Sequence, residues 1–468
     1  MVYFITILVY LAALIVVGTI LSIRVKTQED FMVAGRALSA KVLVGTLLAT
    51  WIGSGSIIAS AGLAYDRGLP ALWFDAGVWV ALVILYLIAG RARKLAQYTV
   101  PDMLEIRYNK WARVLGTIVT MIAYTAIVSY QFRAGGMVLN LITGIPMSTG
   151  VIITALFVIG YTVLAGMISV VYTDVVNGII MTIGLIIALP FMIKTGGGLD
   201  NIIANIPETH VDILGTMTLK EAIAYSLPTM LLLLGESGMY QRFFSAKDAA
   251  AAKRSVAGWI AGTIVIETLI VFLAVVGRGI FTDINSEMVI LHSVKDALPV
   301  AIGCLCLAAI VAVIVSTADS FLLVPSTNFM RDIYQRFLRP GASQKEILLL
   351  SRVVVVILGL FAFAQLQFFD RVLEMALYAY TMYGVGITPA VLGAFFWRRA
   401  TAAGGVTSIA AGMVVTLIWE IGGGFWGLET VYPALASSVF CLVVVSLFTS
   451  PPPSEKVDLF FEKRKPNK

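Results

Sequence analysis

Apolar runs of spanning length, separated by short polar stretches, repeat along almost the whole chain. A run of about 20 apolar residues is long enough to cross a bilayer as a helix. The pattern predicts thirteen transmembrane helices, here called spans one to thirteen, at 3–23, 41–62, 71–90, 114–139, 149–168, 173–193, 223–240, 255–280, 298–325, 350–367, 372–397, 401–423 and 430–449.

Two of these spans carry glycine and polar residues in their middle. Residues 49–56 of span two read "ATWIGSGS", and residues 233–239 of span seven read "LLGESGM". Glycine disfavours a helix, and an open backbone at membrane depth is tolerated only beside protein or a wet cavity. Spans five apart cross in opposite directions, so a matched pair of broken helices predicts an inverted-repeat transporter with its site near the midplane. Close helix packing at small residues is the alternative interpretation.

Composition and charge support a membrane protein. The 468 residues are 59% hydrophobic and 13% charged, with a mean hydropathy of +0.93. Lys and Arg concentrate in alternate loops, and the other loops hold only Arg67, Lys194, Lys220, Arg278, Lys295 and Arg371. Cytoplasmic loops carry the excess of cations, which predicts an outside N-terminus and a cytoplasmic C-terminus in the plasma membrane. We interpret the basic loops as topology signals and expect no nucleic-acid partner.

Span nine carries an unusual density of oxygen atoms in the sequence "AVIVSTADSFLLVPS". Ser316, Thr317, Asp319 and Ser320 lie at the same predicted depth as Ala49 and Ile52, which precede the break of span two. Hard cations prefer oxygen ligands, and unwound carbonyls are the usual Na⁺ ligands of discontinuous helices. The sequence therefore predicts an alkali-ion site, to which Asp174 of span six adds charge. Hydroxyls that bond back to their own helix are the alternative.

Other ionisable residues in the spans are interpreted differently. Asp75, Glu374 and Glu420 lie near span ends, where they are expected to reach water and to be structural. The sequence leaves open whether Arg133 and Glu267 pair with each other or serve separate roles. The two histidines, His210 and His292, fall in outside loops, which argues against a metal centre within the membrane.

Motifs along nearly the whole chain resemble the sodium:solute symporter family. They include "ATWIGSGSIIASAGLAYDRG", "GMISVVYTDVVNGIIM", "MYQRFFSAKD", "VSTADSFLLVPSTNFMRDIYQRF" and "GITPAVLGAFFWRRAT". The resemblance implies an all-α fold with a five-plus-five inverted-repeat core of the leucine-transporter type. One helix precedes the core (1–25), the repeats are 41–193 and 223–397, and two helices (401–449) and a cytoplasmic tail (450–468) follow.

The resemblance also implies the ligands of two ion sites. The main Na⁺ site falls on the carbonyls of Ala49, Ile52 and Val313 and the hydroxyls of Ser316 and Thr317. A second Na⁺ site would use Asp174, Ser316, Asp319 and Ser320. Asp319 stands where those relatives have a hydroxyl, so a proton site at Asp174 or a structural role for Asp319 fits as well.

The substrate is expected between the two breaks and spans three, four and eleven. Its candidate contacts, by position, are Trp51, Ser54, Phe74, Glu236, Met239, Tyr378 and Tyr383, with Tyr130 and Gln131 as secondary candidates. The sequence thus predicts a monomeric Na⁺-coupled symporter of a small amino acid, such as proline, or a related metabolite, such as pantothenate. The alternatives are coupling to protons and a sugar or organic-anion substrate. An ion channel would need a continuous polar pore, and an enzyme would need catalytic residues that the spans do not offer.

Overall fold

The computed structural model describes residues 2–22, 33–95, 97–164 and 167–461. The side chains of 164–174 lie outside the description, and Asp174 is among them. Within these ranges the regular elements are helices. The α-helices are Val2–Ser22, Ala40–Trp51, Ala61–Arg67, Leu72–Leu95, Val100–Arg107, Lys110–Thr143, Met147–Leu164, Met167–Thr195, Leu199–Ala204, Leu219–Gly235, Ser237–Ser245, Ala249–Arg278, Val289–His292, Val300–Asn328, Gln344–Gln365, Val372–Phe396, Ala402–Ile421, Val431–Phe448 and Ser454–Phe461.

Each predicted span is occupied by one of these helices, or by two in spans two and seven. Wider turns at Gly55–Ser60 lead into Ala61–Arg67, and Phe329–Leu338 extends span nine. Within the described ranges, nine helices are long and apolar enough to cross a membrane, and ten if the bent pair of span two counts as one. The protein is therefore a multi-pass membrane protein.

Several spans begin where a polar side chain caps the first turn. Ser39 accepts a hydrogen bond from the backbone of the first turn of span two, and Asp248 does the same for span eight. At span seven, Thr218 and Glu221 form a reciprocal capping box. These side chains satisfy amide groups that have no partner within the helix. The short polar stretches between the apolar runs thus fix where the helices start.

Burial separates central helices from lipid-facing ones. The most apolar window of span eleven is 89% buried, whereas that of span ten is only 22% buried. Span eleven packs against spans four, seven and twelve, and span nine packs against spans four and six. Glycine allows close contact at these crossings, since a Cβ atom at Gly77 of span three would lie 2.0 Å from the Ser226 carbonyl oxygen of span seven.

One end of the central helices is tied by an ion-pair network. Arg113, at the start of span four, pairs with Asp102 and Glu105 of the short helix before it. Its Nε atom also lies 3.0 Å from Oδ1 of Asp332, in the extension of span nine. Asp332 is fully buried. Because a buried charge is tolerated only when it is paired, the network fixes spans four and nine relative to each other.

At the opposite end, Arg371 joins three segments. Its Nη2 atom lies 2.9 Å from Oδ2 of Asp66, at the end of span two, and 3.0 Å from Oγ of Ser286. The neighbouring Glu287 accepts a hydrogen bond of 3.1 Å from the backbone N–H of Leu373, at the start of span eleven. These contacts hold the second half of span two against span eleven.

Candidate substrate and sodium sites

The predicted break of span two is confirmed. Its first half ends at Trp51, Ile52 takes an extended conformation (φ −75°, ψ 97°), and the second half starts at Gly55. The two halves are bent by 53°. The last carbonyls of a helix have no amide of a following turn to accept from, so they are free to bind a ligand. Ala49 and Ile52, whose carbonyls are the predicted Na⁺ ligands, are 3% and 1% exposed and so almost completely buried.

Span nine meets the chain at this break. A Cβ atom at Gly53 would lie 3.3 Å from the Thr317 hydroxyl oxygen. The Thr317 hydroxyl is buried and, in the part of the chain that the structure describes, has no hydrogen-bond partner. The Ser316 hydroxyl instead donates to the Val313 carbonyl at 3.2 Å. The Ser316 hydroxyl is thus back-bonded, which uses its proton and leaves its oxygen lone pairs available, while no such bond is found for the Thr317 hydroxyl among the described residues.

The predicted second ion site is described only in part. Asp174 lies outside the described side chains. Asp319 is fully buried one turn beyond Ser316, and Ser320 is also buried. Among the described residues, no hydrogen-bond partner is found for the Ser320 hydroxyl. The stretch after Thr317 therefore offers a further buried oxygen, and the second site stays a prediction.

Polar side chains of span four face the same break. The Ser54 hydroxyl donates to Oε1 of Gln131 at 2.7 Å. Nε2 of Gln131 would lie 3.7 Å from a Cβ atom at Gly53, and within the described ranges it has no partner. Gln131 and Thr317 thus both present an unsatisfied buried group to Gly53. Buried polar groups are normally hydrogen-bonded, so this pair is a candidate contact for a ligand.

Tyr380 of span eleven lies beside the second half of span two, and the sequence prediction did not include it. Its hydroxyl lies 3.2 Å from that of Tyr130, and its ring lies 6.1 Å from the ring of Phe74. A Cβ atom at Gly55 would lie only 2.3 Å from the Tyr380 hydroxyl oxygen, so the approach depends on that glycine. The predicted candidates Phe74 and Tyr130 therefore belong to the same aromatic wall as Tyr380.

The other tyrosine candidates of span eleven point elsewhere. Tyr378 is half-buried and stacks on Phe369 at 5.1 Å, away from the Tyr380 cluster. The Tyr383 hydroxyl donates to the Gly235 carbonyl at 2.8 Å, where the first half of span seven ends. Residues two apart on a helix face nearly opposite sides, and residues three apart share a face. Helical periodicity was thus the signal that Tyr378 and Tyr380 do not face the same break.

Span seven breaks at Glu236, as its sequence predicted. The Glu236 carboxylate caps the second half of the span, accepting from the backbone of Gly238 at 2.9 Å and Met239 at 2.6 Å. The Tyr124 hydroxyl of span four also bonds to this carboxylate. Glu236 and Met239 are both 1% exposed. The carboxylate that was predicted to receive a substrate group is thus held by its own helix in this structure.

Trp51 is oriented by a buried acid of span eight. Its indole N–H donates to Oε1 of Glu267 at 2.8 Å, and the indole of Trp79 donates to Oε2 at 2.8 Å. Asp75, one turn before Trp79, accepts from the Ser60 hydroxyl at 2.9 Å. Asp75 is 1% exposed, so the expectation that it reaches water is wrong. The sequence prediction considered only that Asp75 lies near the end of its own span, and it did not account for spans two and eight, which cover this residue.

Arg133 and Glu267 do not pair with each other. The Arg133 guanidinium donates to the carbonyls of Leu366 at 3.3 Å and Phe369 at 2.6 Å, where span ten ends. Cationic side chains stabilise the carbonyl end of a helix. Glu267, in contrast, faces the two indoles of spans two and three. Arg133 and Glu267 therefore have separate structural roles, a point that the sequence alone left open.

The family assignment follows from comparison with known proteins. The sequence profile of the sodium:solute symporter family matches residues 31–412. The chain belongs to the sodium:solute symporter family. This symporter is therefore a transporter with Na⁺ as its coupling ion, and it is not an enzyme.

Two curated relatives extend over nearly the full length of the symporter. The high-affinity proline transporter PutP of Bacillus subtilis (strain 168) is 28% identical, with 93% of this chain and 96% of the relative covered. The sodium/pantothenate symporter of Escherichia coli (strain K12) is also 28% identical, with 92% of each chain covered.

Solved structures support the fold. A Na⁺-coupled sialic acid symporter in a substrate-bound outward-open state has a TM-score of 0.78 at 19% identity, covering 96% of this chain and 98% of that one. The nucleobase-cation-symport transporter Mhp1, closed with bromovinylhydantoin bound, has a TM-score of 0.62 at 10% identity, covering 93% and 99%. The expected leucine-transporter type of fold is thereby confirmed, independently of any substrate.

Proposed function

We propose that this symporter couples the uptake of a small amino acid such as proline, or a related metabolite such as pantothenate, to the inward movement of Na⁺. The names of the full-length relatives support this substrate range. One structural observation carries the proposal. The buried Thr317 hydroxyl lacks a partner among the described residues and faces the broken end of span two.

The ion-binding part of the proposal uses oxygen atoms from two helices. The carbonyls of Ala49, Ile52 and Val313 and the hydroxyls of Ser316 and Thr317 form the main Na⁺ site. Each replaces a water of the hydrated ion, which is the mode of Na⁺ binding expected at discontinuous helices. Asp174, Asp319 and Ser320 remain the candidates for a second Na⁺ site or a proton site.

The substrate-binding part lies beside the same break. Ser54, Gln131, Phe74 and Tyr380 offer hydrogen-bonding groups and aromatic surface there. A pocket with mostly apolar walls and a few directed polar groups suits a small organic solute. Trp51, Glu236, Met239 and Tyr383 act in our proposal mainly by shaping this centre, whereas Tyr378 stacks on Phe369 away from it.

The proposed architecture has thirteen spans, with the repeats at 41–193 and 223–397. Residues 1–25 form the preceding helix, 401–449 the two following helices and 450–468 the cytoplasmic tail. The asymmetry of Lys and Arg in the loops supports an outside N-terminus and a cytoplasmic C-terminus. We propose that the monomer is the transporting unit.

Uptake by proteoliposomes tests the proposed function. Radiolabelled proline and pantothenate are offered separately, with an inward Na⁺ gradient alone or an inward proton gradient alone. We expect accumulation of one of the two solutes only under the Na⁺ gradient. Accumulation that follows the proton gradient contradicts the coupling, and accumulation of neither solute under either gradient contradicts the substrate range.

A further inference from the structure

A cavity lies between the first half of span two and spans six and eight. Its volume is about 390 Å³. Span two contributes four residues that occupy successive turns of one side, namely Gly45, Leu48, Ala49 and Ile52. These residues extend over about 10 Å of helix at about 1.5 Å per residue. The cavity is therefore an elongated groove along the helix that leads to the break.

The walls of the groove are apolar. Spans six and eight contribute Val175, Ile179, Ile183, Val265 and Ile266. Among the described residues of the lining, Thr182 carries the one hydroxyl, and its proton is already donated to the Gly178 carbonyl at 2.7 Å. A polar solute that entered the groove would lose its bonds to water without replacement. The chemistry of the walls excludes a polar ligand and suits a hydrocarbon.

The groove opens on surface that faces the bilayer interior. Ile179, Ile183 and Val265 are 54%, 52% and 60% exposed, and each lines the groove. They lie in spans six and eight, whose exposed apolar side chains contact lipid in a multi-pass membrane protein. The hydrocarbon that can reach the groove is thus the hydrocarbon of the bilayer itself.

We propose that the groove binds one acyl chain of a membrane phospholipid, which packs against the back of the span-two break. Three glycines, Gly45, Gly178 and Gly262, bring the walls close enough for a single chain, and a Cβ atom at Gly45 would lie 3.1 Å from Val175 Cγ2. A Cβ atom at Gly178 would lie 3.0 Å from the Ala49 Cβ atom, and one at Gly262 would lie 2.6 Å from Leu48 Cδ1. Because lipid tails are as apolar as leucine, shape and van der Waals contact select this site over the surrounding bilayer.

The bound chain links lipid to ion binding. Ala49 and Ile52 both line the groove, and their carbonyls belong to the sodium site that we propose. A chain in the groove therefore restrains the half-helix that must present those carbonyls. This second step rests on the proposed sodium site, whereas acyl-chain binding does not.

Photochemical labelling tests acyl-chain binding. The full-length symporter is reconstituted with a phosphatidylethanolamine that carries a diazirine in the middle of one acyl chain, and adducts are mapped by peptide mass spectrometry. We expect adducts on Leu48 and Ala49, the latter only 3% exposed and so beyond the reach of ordinary surrounding lipid. Val265→Trp, which fills the mouth of the groove, should abolish them.

A matched variant controls for the added indole. Leu360 of span ten is 60% exposed, as Val265 is, but does not line the groove. Leu360→Trp should leave the adducts unchanged. Adducts confined to exposed residues, or adducts on Ala49 that persist in Val265→Trp, overturn the proposal. Ile183→Trp replaces Val265→Trp if gel filtration shows that the latter is not monodisperse.

The link to ion binding has its own measurement. The Na⁺ concentration for half-maximal thermal stabilisation is compared among the same variants. We expect Val265→Trp to change it by about threefold or more, the size of an energetic coupling between neighbouring sites, and Leu360→Trp to leave it unchanged. An unchanged value together with lost adducts refutes the link and leaves acyl-chain binding standing. Loss of Na⁺ stabilisation in the wild type refutes the proposed sodium coupling instead.

Discussion

Gly55→Ala is the sharpest test of the aromatic wall. The new Cβ atom would lie 2.3 Å from the Tyr380 hydroxyl oxygen, and ordinary contact begins at 3.4 Å. The hydroxyl must therefore retreat by about 1 Å, which breaks its 3.2 Å contact with Tyr130. The next atom of Tyr380, Cζ, would lie at 3.6 Å, so the hydroxyl alone causes the clash.

The magnitude follows from the two opposing effects. Overpacking of a well-packed interior lowers the free energy of unfolding by about 1–3 kcal/mol. Replacing glycine by alanine in a helix raises it by up to about 1 kcal/mol. We expect a net loss of about 1–2 kcal/mol in the free energy of unfolding. Tyr380→Phe alone should cost about 1 kcal/mol, for one hydrogen bond. The double variant should be no less stable than Tyr380→Phe, because removing the hydroxyl leaves room for the methyl group.

The assay is a double-mutant cycle of unfolding free energies in detergent, with Gly160→Ala as control. A Cβ atom at Gly160 meets nothing within 4 Å, so this variant should be neutral or slightly stabilised. An interaction energy of about 1–2 kcal/mol that favours the double variant supports the reasoning. Additive effects of Gly55→Ala and Tyr380→Phe refute it.

Two further predictions concern buried groups near span two. Glu267→Gln leaves only one acceptor for the indoles of Trp51 and Trp79, so one buried N–H loses its partner and stability should fall by about 1–3 kcal/mol; unchanged thermal unfolding contradicts this. Burial lowers the pKa of His210, whose Nε2 atom lies 3.2 Å from the Tyr65 carbonyl. In the unfolded chain the His210 imidazole binds its proton at a higher pH than in the folded protein, so the free energy of unfolding should decrease as pH falls below about 6.5. His210→Gln should reduce the difference between the free energies of unfolding measured at pH 7 and at pH 5.5.

The breaks of spans two and seven could be read from the sequence because their causes are local. Glycine and polar residues interrupt apolar runs at 49–56 and 233–239, and the helices end within those stretches at Trp51 and Gly235. Several consecutive residues of low helix propensity disfavour a continuous helix at these positions. The sequence therefore predicted where both spans break.

Side-chain partners depended on contacts that are distant in the chain. Tyr380 contacts Gly55 and Tyr130, which are distant in the sequence, and no residue near Tyr380 in the sequence indicates these contacts. Asp75 is buried because Ser60 and span eight cover it. The position of a residue along its own helix does not reveal such a contact. The pairing of Glu236 with its own helix likewise depends on the path of the backbone after the break.

The Na⁺ dependence of two substitutions at Thr317 tests the central claim most directly. Binding of radioactive Na⁺ to the purified protein is measured by scintillation proximity for the wild type, Thr317→Ala and Thr317→Ser. Loss of one ligand oxygen, at about 1–2 kcal/mol, should raise the half-maximal Na⁺ concentration about tenfold in Thr317→Ala. Thr317→Ser keeps the oxygen and should stay within about twofold of the wild type. An unchanged Na⁺ affinity in Thr317→Ala would contradict a sodium site at the break of span two.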